Sequence, residues 1–186
     1  LEGHGSLRIT YDRGDLELMV ISRPHEHYRL LLARFVEVAA EEMGMEVDPG
    51  GNMTFQREDL ERGLESDDCF WIAHEPAMRG KMTWDPLHDP PPDLVLEIEI
   101  SRSALKKMEV YSALRVPEIW CFDGLVLAVY VLRADGTYEQ VERSPTFSSL
   151  PLEEIARFVR QAETAGFLSV VREFRAWVRQ QLDKQP

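Results

Sequence analysis

Along PDLVLEIEI, from Pro92 to Ile100, aliphatic residues recur at every second position from Leu94 and acids stand at three of the alternate positions, and the period then changes to helical spacing. Leu94, Leu96, Ile98 and Ile100 face one way and Asp93, Val95, Glu97 and Glu99 the other, because successive strand side chains point to opposite faces of a sheet. In the segment that follows, positions advance by ~100° per residue and gather Ala104, Leu105, Met108, Tyr111 and Leu114 on one apolar arc. Lys107 falls inside that arc, between Tyr111 and Leu114, while Lys106 falls outside it beside Glu109 and Ala113. A strand with three acids on one face therefore runs into a helix that turns one lysine inward.

The same patterning places the other elements. LRITYDRGDLELMV reads as an N-terminal hairpin about the turn Asp12-Arg13-Gly14-Asp15. Ser22 and Pro24 start a helix that runs from His25 to about Met43, with Leu31, Phe35, Val38 and Ala39 at helical spacing. Short strands near Glu46–Val47 and Met53–Phe55 precede a polar segment, QREDLERGLESDD, and Asp67 stands at the mouth of the strand CFWIA. The prolines of PLHDPPPD fix the approach to the acidic strand. After Pro117 the strand EIWCF leads through Asp123-Gly124 into LVLAVYVL, and Asp135-Gly136 turns that strand into YEQVER. Two helices close the chain: one with Pro151 at its first position, and one with a stripe of Leu168, Val171, Phe174, Val178 and Leu182 that reads as core packing.

A chain of 186 residues, 44% hydrophobic, is the size of one domain and can bury a substantial core. No apolar run approaches the ~18 residues that span a membrane, and the N-terminus lacks the apolar stretch of a signal peptide, so the expected location is the cytoplasm. Cys69 and Cys121 belong to no CxxC or zinc-ligand spacing and read as buried free thiols. The formal charge of -12 argues against generic polyanion binding. A local cluster drawn from Arg57, Arg62, Arg79, Lys81, Arg102 and Lys106 can still meet phosphates, and the acidic balance predicts weak binding without a metal.

The chemistry is concentrated in the acids. Like charges that close raise one another's cost of ionisation unless water, a cation or a basic side chain compensates, and a divalent metal would do so. A solvated polar face is the alternative for the strand. A lysine on the inward arc must snorkel out or find an anion, and the acidic strand is the nearest, which leaves a structural salt bridge open as well. His25-Glu26-His27 is not HExxH, since residues two apart on a helix do not face each other. His74 and His88 read as solvated or hydrogen-bonded surface histidines. Gly80-Lys81-Met82-Thr83 lacks the upstream glycine of a phosphate loop, and neither a nucleophile elbow nor a dinucleotide fingerprint is legible.

GLESDDCFWI (Gly63–Ile72), PPPDLVLEIEIS (Pro90–Ser101) and KMEVYSALRVPEIWCFDG (Lys107–Gly124), with the LRITYDRGDLELM hairpin and the PHEHYRLLL helix start, resemble the Uma-two family of the PD-(D/E)XK nuclease superfamily. The resemblance extends over residues 7 to about 143, which the helices of about 150–184 would extend within a single domain spanning 1–186. It implies an α/β (α+β) fold with a restriction-endonuclease-like core: a mixed central sheet flanked by helices, with the N-terminal hairpin and C-terminal helices added.

The resemblance also implies roles. Asp67 stands at the acid of the second core strand and Glu97 at the (D/E)XK acid, and the two would ligate Mg²⁺ or Mn²⁺. The literal Pro92-Asp93 pair is misleading, because Asp93 lies only four residues before Glu97 on one strand. The motif lysine would fall at Glu99; in this family it is thought to come from the following helix, where Lys107 matches. Glu26 matches the superfamily's frequent carboxylate of the first helix, and Glu99 is a further candidate ligand or holder of a water. The implied activity is metal-assisted hydrolysis of DNA phosphodiester bonds by a cytoplasmic protein that forms a homodimer or higher homo-oligomer. A non-catalytic member that binds nucleic acid or a protein is the main alternative, and a metal-free carboxylate-pair glycosidase is disfavoured because no aromatic sugar platform is legible beside the acids.

Overall fold

The computed structural model describes residues 7–57, 61–99 and 107–184. The chain runs β1 (Leu7–Asp12), β2 (Asp15–Val20), α1 (Arg23–Glu42), β3 (Asp48–Pro49), β4 (Thr54–Arg57), β5 (Arg62–Glu65), β6 (Asp68–Trp71), α2 (Glu75–Met78), β7 (Leu94–Ile98), α3 (Lys107–Leu114), β8 (Glu118–Phe122), β9 (Leu127–Leu132), β10 (Tyr138–Val141), α4 (Leu152–Gln161) and α5 (Phe167–Leu182). The strands form two sheets, ordered β2-β1-β5-β4 and β10-β9-β8-β7-β6-β3. Only β7 and β8 pair in parallel among the described strands, and α3 lies on the connection between them. This is the mixed α+β architecture expected from the sequence. Among the described residues no helix is long and apolar enough to cross a membrane.

β7 is an inner strand and is buried on both faces. Leu94, Leu96 and Ile98 join Phe35, Phe158 and Phe174 in a core shared with α1, α4 and α5. Val95 points the other way, into a second core with Cys69, Val110, Tyr111 and Ile119, which Phe55 and Leu64 of the smaller sheet complete. The acid-bearing side of β7 is thus an interior face, not the solvated face considered from the alternation alone. An inner strand covered on both sides has no solvated outer face.

The hairpin turns follow their local chemistry. Gly14, Gly124 and Gly136 all have positive φ, and the carboxylates of Asp123 and Asp135 accept backbone N–H groups within their turns. At the start of α1 the Ser22 hydroxyl accepts the His25 amide at 3.3 Å.

Some expectations need correction. The polar stretch after β4 contains β5, which pairs with both β1 and β4. Its Leu64 is the one large apolar side chain in the strand, so no alternation announced it. Leu168 is 64% exposed, and the buried stripe of α5 is instead Val170, Val171, Phe174 and Val178. The short strand expected at Glu46–Val47 is β3, two residues later. Pro151 is the N-cap of α4 and Leu152 its first residue. Ala104, Leu105, Lys106 and Arg102 lie outside the described residues.

α5 clasps α1 through charge as well as rings. Phe174 stacks on Phe35 with centroids 4.0 Å apart, and Glu42 accepts from Arg175 at 2.6 Å and from Arg179 at 2.6 and 3.0 Å. The hydrogen bond from Arg179, helped by Arg175, holds the Glu42 carboxyl below its ordinary value in spite of partial burial. A depressed carboxylate contributes stability that is present above its unfolded value of about 4.3 and lost as pH falls through the folded value. Glu42→Gln should therefore cost about 1 kcal/mol at pH 7, a difference that closes as the solution is acidified below pH 4. Denaturant unfolding of both proteins across that range checks it, and a gap that persists at low pH would assign the effect to packing.

Candidate active site

The strand-to-helix geometry brings Glu97 and Lys107 together. Lys107 and Tyr111 sit one turn apart on α3, so their side chains share the face that lies over β7. Lys107 Nζ donates to Glu97 Oε2 at 2.6 Å, and the Tyr111 hydroxyl donates to Glu97 Oε1. Glu97 is 1% exposed and Tyr111 fully buried. Burial pushes the Glu97 carboxyl up to about 7 against the pull of Lys107, and the nearby Asp67 adds to the rise. Burial alone would lower the Lys107 ammonium, but the charge and hydrogen bond of Glu97, with Asp67 behind, hold it above lysine's ordinary value.

Asp67 sits just before β6, the antiparallel neighbour of β7, and is fully buried. Its Oδ2 accepts the Ile98 amide at 2.7 Å, which ties it to the residue after Glu97. The same oxygen lies 3.1 Å from His25 Nε2 on α1. Burial would raise this carboxyl; His25, the Ile98 amide and Lys107 outweigh it and lower it instead. Two carboxylates, one on β7 and one just before its neighbour β6, are therefore driven apart in acidity, one down and one up, as happens where acids share a confined space.

The other sequence candidates are placed elsewhere. Glu26 is bound by Arg29 at 3.0 and 3.2 Å, and Arg29 also donates to Asp68 at 2.8 Å. The link from Glu26 toward the site is His25, whose Nδ1 lies 3.8 Å from Glu26 Oε1. Glu99 is exposed just past the end of β7 and reaches Lys107 through its charge. Asp93, on the same side of the strand by alternation, is held at the other end of β7 by the amides of Ile72 and His74 at 2.7 and 2.9 Å and by His74 Nδ1 at 2.6 Å. Of the proposed basic cluster, Arg79 pairs with Glu75 and Lys81 with Asp89. His74 and His88 are hydrogen-bonded at the surface as expected, and Cys69 and Cys121 are buried free thiols.

Sequence reasoning passed over two members. Tyr111 reads as core in the sequence, and its hydroxyl is legible only from its place one turn after Lys107 on the inward arc. His25 belongs to a His25-Glu26-His27 triplet that matches no metal motif, and nothing in its spacing pairs it with a residue 42 positions away on another element.

A hard divalent cation fits these donors in type and charge. No three His, Cys, Asp or Glu side chains form a ready-made cage among the described residues. Mg²⁺ typically takes one or two carboxylates and keeps several waters, and two buried carboxylates offset by a single ammonium offer that.

The Uma2 family model, described as "Putative restriction endonuclease", matches residues 1–164. Among solved structures the chain is similar to one titled "a putative nuclease belonging to DUF820" from Anabaena variabilis, at 13% identity over 81% of this chain and 90% of that one, with a TM-score of 0.56. At that identity the likeness establishes a shared fold. No curated protein matches the sequence.

The buried pair has a measurable signature. Lys107→Met leaves the Glu97 carboxyl without its cation and should cost about 3–5 kcal/mol at pH 8. A carboxyl raised in the folded state contributes stability that is complete below its unfolded value and lost as pH rises through the folded one, so the cost should shrink toward pH 5. Adding Glu97→Gln should recover most of it. Equilibrium unfolding of the four proteins in the cycle tests this; additive single effects would mean the two side chains are not coupled.

Proposed function

The chain belongs to the Uma2 family, and from that premise we propose that it is a metal-dependent endonuclease that hydrolyses DNA phosphodiester bonds. The observation that carries the proposal is the lysine of α3 bonded at 2.6 Å to a buried acid on the central strand, with a second buried acid clamped on the next strand. Asp67 and Glu97 would hold Mg²⁺ or Mn²⁺, with Glu99 and Glu26 ordering waters at its margin. The cation, when bound, supplies a Lewis acid and lowers the pKa of water.

The chain's own groups do the rest. The Ile98 amide fixes Asp67 and the Tyr111 hydroxyl fixes one oxygen of Glu97, so both carboxylates are held in position, and Lys107 would leave Glu97 Oε2 to open that oxygen to the cation. Lys107 is held protonated by Glu97, which suits it to donate to a phosphate oxygen as negative charge grows there and suits it less to take a proton from water. Burial of the site excludes bulk water and strengthens each of these interactions.

One observation favours the non-catalytic alternative: both oxygens of Glu97 are occupied by Lys107 and Tyr111, an arrangement that also serves as a purely structural pair. Cleavage of plasmid and single-stranded DNA in Mg²⁺, Mn²⁺ and EDTA separates the readings. The nuclease reading expects cleavage that EDTA abolishes, a loss of at least ~100-fold in Lys107→Ala with cation affinity retained, and a loss of cation binding in Asp67→Asn. No cleavage with any cation on any nucleic acid would favour the binding protein, and unchanged calorimetric binding in Asp67→Asn would remove Asp67 from the site.

A further inference from the structure

His25 carries polarity that the fold uses only in part. Its side chain is 5% exposed, Nε2 meets Asp67 through the 3.1 Å contact that helps lower that carboxyl, and neither ring nitrogen makes a well-formed hydrogen bond. Such groups are costly to bury, and in a native protein an ion or a water commonly accounts for them. The ring is also aimed. The Ser22 cap fixes the first turn of α1, and from there Nε2 reaches to 3.1 Å from Asp67 Oδ2.

We propose that His25 Nε2 is a ligand, beside Asp67, of the divalent cation at this site, and that the nitrogen donor shifts its preference from Mg²⁺ toward first-row transition cations such as Mn²⁺. This rests on the metal-dependent reading of Asp67 given above. Two neighbouring ligands about 2.1 Å from an octahedral cation lie about 3 Å apart, which is the separation seen between Nε2 and Oδ2. Asp67 is held in place by the Ile98 amide, which keeps its Oδ2 beside His25 Nε2. Glu97, whose oxygens are bonded to Lys107 and Tyr111, has to exchange a partner first.

The surroundings of the ring support the same role. A ligating histidine commonly directs its other nitrogen to a carboxylate, and Glu26 Oε1 lies 3.8 Å from Nδ1. Imidazole adds affinity for transition cations more than for Mg²⁺ or Ca²⁺, which favour oxygen. His27, two residues on, meets Tyr28 and Phe167 edge to face at 6.1 and 6.0 Å and serves as the control.

Pulsed electron paramagnetic resonance of the full chain loaded with Mn²⁺ tests the assignment without reference to cleavage. Nitrogen modulation is expected on the bound Mn²⁺, converted to the ¹⁵N pattern by ¹⁵N-histidine labelling, lost in His25→Gln and retained in His27→Gln. By calorimetry His25→Gln should weaken Mn²⁺ at least ~10-fold and Mg²⁺ less than ~3-fold. Selective paramagnetic broadening of the His25 ring resonances by Mn²⁺ reads the same contact in the unsubstituted protein, should the variant fail to fold. Bound Mn²⁺ without histidine nitrogen, or with modulation surviving in His25→Gln, overturns the role of His25 and leaves the metal reading standing. No Mn²⁺ binding at all overturns both.

Discussion

A carboxylate on an inner strand, sealed between two hydrophobic cores, has to be compensated or it unfolds the strand that carries it. Glu97 is in that position, and the arrangement around it follows from the need. Lys107 supplies the charge, Tyr111 occupies the second oxygen, and both come from the one helix whose crossover makes β7 and β8 parallel. The same crossover places α3 against the acid-bearing face of β7. Topology and electrostatics therefore specify each other here: a helix elsewhere would leave the acid unpaired, and a neutral residue at position 97 would leave the lysine buried without an anion.

Asp67 adds a second constraint from the adjacent strand. Its bond to the Ile98 amide ties β6 to β7 just beside Glu97, so a carboxylate that could have been a liability also helps fix the register of the sheet there. Two acids at this distance resist ionising together, and a lysine on one with a histidine beside the other divides the compensation. On the proposed metal-dependent reading, a cation would take over from the ammonium the task of offsetting the two carboxylates.

Much of this arrangement was legible in the chain. Alternation over residues 92–100 located β7, the helical arc selected Lys107 over Lys106, and aspartate-glycine pairs marked two hairpins, because each of these signals is local and periodic. The rest depended on contacts distant in sequence. Asp93 shares its parity with Glu97 but caps a loop at the other end of the strand, a difference that alternation cannot express. β5 carries one buried apolar residue and owes its existence to partners on both sides. His25 joins Asp67 only because α1 packs across the larger sheet, and the Tyr111 hydroxyl is polar chemistry on a residue that otherwise looks like core.

Anomalous diffraction at the manganese edge, from crystals equilibrated with Mn²⁺, tests most directly whether the buried acids form a metal centre. A peak about 2.1–2.2 Å from carboxylate oxygens of both Asp67 and Glu97, with the Lys107 ammonium displaced from Glu97 Oε2, is the predicted result. A peak elsewhere, or none, with the Glu97–Lys107 pair intact at a concentration where the protein binds Mn²⁺ in solution, would contradict it and leave the pair a structural one.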